Sequence, residues 1–208
     1  MKTTITTIAM LAMLATAFTS CKKDTKTEPE APAPPVNQGE LITTMKVTLT
    51  DTITSSSVTY VFSDLDGAGG DAATFGNGGA DSVINITANK AYLTKILLLD
   101  ETKNPVDTIS NEVLAEGIDH MFFFNGISPT GATSYTTTLN GGTTIKYLDS
   151  DANNRGIGLL TLWTTPLTPM PKEPLLIELK HQPSVKNGSY TPGETDIPVS
   201  YTHLTLPT

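Results

Sequence analysis

Leu41-Ile42-Thr43-Thr44-Met45-Lys46-Val47-Thr48-Leu49 is the first stretch of the chain with a foldable pattern. Its second half alternates, which puts Met45, Val47 and Leu49 on one face of a strand. Val58-Thr59-Tyr60-Val61-Phe62-Ser63 follows a serine-rich turn and gives Val58, Tyr60 and Phe62 a shared face. Val83-Ile84-Asn85-Ile86 is short, and Ala91 to Leu99 is a longer run expected to be bent or fully buried. Met121-Phe122-Phe123-Phe124 has no alternation and is expected between layers, with both faces covered. Ser134 to Leu139, Thr144 to Leu148, Ile157 to Thr164 and Leu175 to Leu179 continue the series, the last as a central strand. Threonine is frequent in these runs, and its branched β-carbon suits pleated strands better than helices.

One segment, Ile109 to Ile118, reads as a short helix, with Ser110 as its cap and Gly117 near its end. Many short strands separated by glycine- or proline-rich turns predict an all-β fold. The expected architecture is an immunoglobulin-like antiparallel β-sandwich over residues 41–198. No repeat of fixed period points to a propeller or solenoid.

Residues 1–20 have the form of a lipoprotein signal peptide. Met1-Lys2 is a basic start, and Ile5 to Phe18 is an apolar core of about 14 residues, short of the ~20 that span a bilayer. Thr19 and Ser20 are small, so the cut is expected between Ser20 and Cys21, with Cys21 then lipidated. An ordinary secretory leader is the alternative, and lipoprotein signals usually carry Leu where Phe18 stands. Cys21 is nevertheless the single cysteine of the chain and falls at the cleavage boundary. Residues 22–40 contain four prolines and no apolar period, the composition of an extended tether. These features predict an outer-membrane lipoprotein of the cell envelope. Its face, periplasmic or surface, is left open by Lys22-Lys23-Asp24, which only partly matches a surface-export tag.

The last ten residues, Val199 to Thr208, read VSYTHLTLPT. This is the translation of a transposase mosaic end continued into a sequencing-adapter arm. The stretch is therefore expected to be non-native and to lie outside the fold, with Tyr201 and His203 carrying no functional weight. The formal charge of the whole chain is −8. Without the leader, 12 basic residues stand against 21 acidic ones, and 12 − 21 = −9. Such a balance predicts no nucleic-acid partner, and membrane contact through the lipid anchor only.

Glu40-Leu41-Ile42-Thr43-Thr44, the run from Ser63 to Ala72, Asp119 to Phe124, Tyr147 to Gly158, Leu162 to Thr165, Leu179 to Pro183 and Gly193 to Ile197 occur in a familiar order. Together they resemble a group of small Bacteroidetes lipoproteins, often labelled "type 1 periplasmic binding fold superfamily protein". The resemblance covers most of Glu40 to Val199 and implies an envelope location. It carries no established activity. In the relatives a further apolar strand follows the Gly193–Ile197 motif, so its replacement here is expected to leave an unpaired sheet edge.

Candidate chemistry is sparse. Asp149, Asp151 and Asn153 place oxygen side chains at alternate positions, the spacing with which calcium loops gather ligands. Counting from Asp149, the sixth position is Asn154 and the twelfth Leu160, not the Gly and Glu of the helix-loop-helix version. Asp64 and Asp66 begin a second such loop. Asp, Asn and Gly are also good turn formers, and that reading stands beside the calcium one. His120 and His181 could grip zinc or copper with a third ligand from Glu112, Glu116 or Glu194, though structural or surface histidines are the commoner case. No Gly-x-Ser-x-Gly elbow is present, and Gly67-Ala68-Gly69-Gly70 lacks the Lys-Ser or Lys-Thr of a phosphate loop. Paired carboxylates such as Glu116 and Asp119 are ordinary in an acidic chain. Trp163, with Leu160 and Leu162 nearby, is expected in the core and not as a sugar platform. The expected function is that of a lipid-anchored binding or structural module without enzyme activity, its protein or small-molecule ligand unidentified. A calcium-dependent module is the alternative, and a hydrolase the third reading.

Overall fold

The structure is a computed structural model, and it describes residues 41–67, 70–76, 82–131, 134–169 and 172–205. The leader, Ser20, Cys21 and the tether lie outside the described residues. Strands run as β1 Thr44–Asp51, β2 Ser57–Ser63, β3 Thr74–Gly76, β4 Val83–Asn85 and β5 Ala91–Leu99. After the helix α1, Ile109–Ala115, come β6 His120–Phe124, β7 Thr136–Thr138, β8 Thr144–Tyr147, β9 Leu160–Thr164, β10 Glu173–His181 and β11 Glu194–Thr205. They form two sheets. The larger has the order β3-β2-β1-β5-β9-β8-β7 and the smaller β4-β11-β10-β6. All pairings are antiparallel except β11 with β4, which is parallel.

The two sheets pack as a sandwich, as the strand pattern predicted. Seven and four strands exceed the four and three of the constant-type immunoglobulin arrangement, so the likeness lies in the layering. Met45, Val47 and Leu49 of β1 are all buried, with Tyr60 and Phe62 beside them on β2. Val58 shares that face, opposite Leu49, but at the start of β2 it is 44% exposed. From the other layer, the Phe124 ring meets Trp163 at 5.7 Å and Tyr147 at 6.0 Å, both edge-on. Trp163 is fully buried, and its Nε1 donates to Thr161 Oγ1 at 2.9 Å, which satisfies the one polar atom its indole brings into the core.

β5 is not buried throughout. It alternates, with Thr94, Ile96 and Leu98 inward and Leu93 and Lys95 outward. Helix α1 ends at Ala115, three residues short of the expected Ile118, and Ser110 is not its cap. Thr108 holds the cap position, while Ser110 Oγ accepts the Leu98 amide of β5 at 2.6 Å. The neighbouring strand β9 begins only at Leu160, so β5 has a free donor there, and a buried donor must find a partner.

β6 is buried at every residue, as its unbroken apolar run predicted. One face meets the large sheet. On the other, Tyr190 lies edge-on to Phe123 at 5.4 Å, its hydroxyl on Glu178 Oε1 at 3.0 Å and Lys180 Nζ 4.8 Å from its ring centre.

The tail belongs to the fold. β11 runs without a break through Val199 into Thr205 and lies between β10 and β4, so no edge is left open at β10. Val199 and Tyr201 are buried in the core, which corrects the expectation that Val199 onward stays outside. Val199 and Tyr201 alternate with Ser200 and Thr202, and a strand needs no more than this pattern, whatever the origin of its codons. His203 pairs in backbone register with Val83, and residues 206–208 lie outside the described residues.

Candidate functional site

The segment from Asp149 to Leu160 links the two layers. The Ile157 carbonyl accepts the Phe122 amide of the small sheet at 2.7 Å, and the Leu159 carbonyl accepts the Ile96 amide of the large sheet at 2.9 Å. This is why Ile157 to Leu159, expected as strand, are not part of β9. Gly158 has φ +97, and a Cβ there would fall 2.8 Å from the Phe122 Cβ and 3.0 Å from Tyr147 Cε1. Only glycine lets the crossing backbone pass so close.

Asp149 and Asp151 hold this segment in shape. Asp149 Oδ1 accepts the Gly158 amide at 2.7 Å, and Oδ2 the Leu160 amide at 2.9 Å. Burial raises its pKa against the pull of those donors. Asp151 Oδ1 accepts the amides of Asn153 and Arg155, each at 2.8 Å. Its Oδ2 lies 3.0 Å from Lys186 Nζ, with both side chains sealed from solvent. Lys186 also donates to the Gly117 carbonyl at 2.7 Å. Burial works against the charge on Asp151, but the Arg155 amide and the Lys186 ammonium outweigh it and hold the carboxyl below its usual range.

The oxygens proposed for calcium therefore do not converge. Asp149 and Asp151 are turned onto backbone amides, Asn153 is exposed, and the cation beside Asp151 is an ammonium of the chain itself. In the other loop Asp66 Oδ2 accepts the Asp71 amide at 2.6 Å and closes against Gly70. Asp64 is tied by its amide to the Thr43 carbonyl at 2.8 Å.

His120 and His181 do meet. They face each other in register across β6 and β10, rings stacked at 4.6 Å. The third partner is Asp196, at a bulge in β11, whose Oδ2 lies 3.8 Å from His120 Nε2. Burial pushes the Asp196 carboxyl up to about 6. Burial also lowers His120, with His181 beside it adding to the effect. Glu112, Glu116 and Glu194, the expected third ligands, are exposed. Among the described residues no group of three or more His, Cys, Asp or Glu side chains could hold a metal ion.

Two clefts flank the tip of the crossing segment. The first, about 350 Å³, is walled by Ser134, Tyr135, Tyr147, Asp149, Ser150, Asn153 and Asn154, among others. The second, about 480 Å³, takes in Asp119, Arg155, Ser184, Lys186, Asn187 and the same Asn153. Tyr135 packs over Gly188, whose Cβ would come 2.7 Å from its ring. Besides Asp119, Asp149 and Lys186, these clefts offer amides, hydroxyls and one guanidinium around a segment tied by side-chain to backbone hydrogen bonds, an arrangement suited to recognising polar groups. Of their lining, the sequence reading singled out Asp149, Asn153 and Asp119. Tyr135, Arg155, Ser184 and Asn187 carried no signal, because separate loops bring them together. Comparison with protein-family models, with curated proteins and with solved structures gives no match.

Proposed function

We propose that the chain is a lipid-anchored binding module of the bacterial cell envelope, tethered to the outer membrane through Cys21. Its site is the pair of clefts on either side of Asn153. The observation that carries this reading is the clamped segment from Asp149 to Leu160. Both of its carboxylates are spent on fixing the backbone, so the amide of Asn153 is presented to two clefts by a frame that need not reorganise on binding. A ligand with hydroxyl or amide groups fits such a wall, with Tyr135 offering a ring edge or face. The anchor reading is supported by the apolar run that ends at Thr19-Ser20-Cys21.

Two measurements test it. A thermal-shift panel of neutral sugars, amino acids and short peptides is expected to give at least one stabilising ligand, with the shift lost in Asn153→Ala. A panel without shifts, or one unchanged in that variant, removes the clefts from consideration. Separately, Cys21→Ala is expected to move the protein from the membrane fraction to the soluble one, and retention would remove the anchor.

A further inference from the structure

The outward face of the large sheet differs in charge from the rest of the molecule. Its strand positions are Lys46, Thr48 and Thr50 on β1, and Ser57, Thr59 and Val61 on β2. Leu93, Lys95 and Leu97 follow on β5, Leu160, Leu162 and Thr164 on β9, then Thr144 and Lys146 on β8 and Thr136 and Thr138 on β7. None is Asp or Glu, in a chain with 21 acidic residues. Lys46, Lys95 and Lys146 lie on one diagonal. The register pairs Lys95 with Thr48, two residues from Lys46, and with Leu160, whose neighbour strand carries Lys146. At ordinary sheet spacings the successive Cα separations are about 8 and about 12 Å. Glu101, from the loop after β5, reaches Lys46 at 3.7 Å in a surface pair of little strength. Among the described residues no carboxylate lies within ion-pair distance of Lys95 or Lys146. Leu160 and Leu162 lie between Lys95 and Lys146, and beside the diagonal, across β1 and β2, hydroxyls are tied in pairs, Thr48 to Thr59 and Thr50 to Ser57, each at 2.8 Å.

We infer that this face docks an acidic polysaccharide, a glycan with carboxylate groups along an extended chain. The lysines meet the carboxylates, the threonine hydroxyls bond the sugar hydroxyls, and the exposed leucine carbons lie against C–H faces. Other polyanions fit less well. The face has no outward aromatic ring on which a nucleic-acid base could stack. Three lysines fall short of the four to eight that mark anionic-lipid surfaces. A protein interface would carry aromatic or Arg anchors, and Lys is depleted there. Net negative charge does not forbid the contact, because at physiological salt fields fade over ~8 Å and no strand position of this face is acidic, Glu101 reaching it only at Lys46. This surface is separate from the clefts around Asn153 and stands or falls without them.

Affinity electrophoresis of the full chain through polygalacturonate tests it, with neutral dextran, single-stranded DNA and phosphatidylglycerol vesicles as comparison probes. Binding to polygalacturonate alone is expected, weakening with salt at a log–log slope of roughly −2 for three lysines. The triple variant Lys46→Gln, Lys95→Gln, Lys146→Gln is expected to bind about tenfold more weakly or worse while keeping its circular dichroism. Lys103→Gln with Lys172→Gln, away from the face, is expected to change nothing. Single Lys95→Gln and Lys146→Gln variants should each flatten the slope by about 0.7, and they serve if the triple variant does not fold. No polygalacturonate binding, equal binding by the triple variant, or equal binding to vesicles or DNA overturns the proposal.

Discussion

Asp196 is a carboxyl that the fold largely withdraws from water, with one of its oxygens left without a hydrogen bond. Its Oδ2 is buried and unbonded, 3.8 Å from the Nε2 of His120, whose pKa burial lowers. Its pKa is raised from 3.8 to about 6, so the folded state keeps a proton that the unfolded chain has lost between those values. Stability from this group is therefore complete below pH 3.8 and falls as pH rises toward 6. At 1.36 kcal/mol per pK unit the loss is about 3 kcal/mol. Asp196→Asn is expected to match the parent near pH 4 and to exceed it by up to about 3 kcal/mol at pH 7. Urea denaturation at both pH values checks this. An Asn variant less stable than the parent at pH 7 would mean that the ionised carboxylate is favoured by its surroundings. The proximity of His120, His181 and Asp196 was half legible. The two histidines each adjoin a strand in the sequence, but their register, and the bulge that turns Asp196 toward them, exist only once three strands are paired.

The segment from Asp149 to Leu160 shows the same division at the scale of an element. Alternating oxygen side chains mark it as a tight turn or a cation loop, and the sequence has no means of choosing between them. The choice is made by Lys186, far along the chain, which brings its ammonium to Asp151. Removing one partner of a buried pair leaves a bare charge, so Asp151→Ala or Lys186→Ala should each cost about 3–5 kcal/mol. Replacing both with apolar residues should cost much less. Millimolar calcium is expected to leave the melting temperature of the parent unchanged, since the ammonium already supplies the positive charge. A calcium-dependent rise that disappears in Asp151→Ala would show that the ion displaces Lys186. Ser110 makes a parallel case, because helix caps and strand-edge partners draw on the same side-chain oxygen. Its sequence position suggested the cap, and the missing neighbour of Leu98 decided otherwise.

For the whole molecule the decisive strand is β11. It joins β4 to β10, and its Val199 and Tyr201 fill the core, the Tyr201 ring meeting Phe75 at 5.5 Å. Ending the chain after Pro198 is expected to abolish cooperative unfolding, since it bares an edge of β10 and empties two core positions worth about 2–5 kcal/mol each. A sharp transition in the shortened chain, followed by near-ultraviolet circular dichroism, would show that the sandwich closes without it.

What the residue order alone determined is local. Alternation placed most of the strands, and an unbroken apolar run marked β6 as enclosed. These properties depend on neighbours within a few positions, where sterics and periodicity act. The partners of Asp151, the meeting of the two histidines, the clefts around Asn153 and the lysine face of the large sheet depend on residues tens to more than a hundred positions apart. A net charge of −8 is a sum over the chain, and only the pairing of strands sorts its members onto opposite faces. Register does that sorting, because a shift of one residue sends every side chain of a strand to the other side.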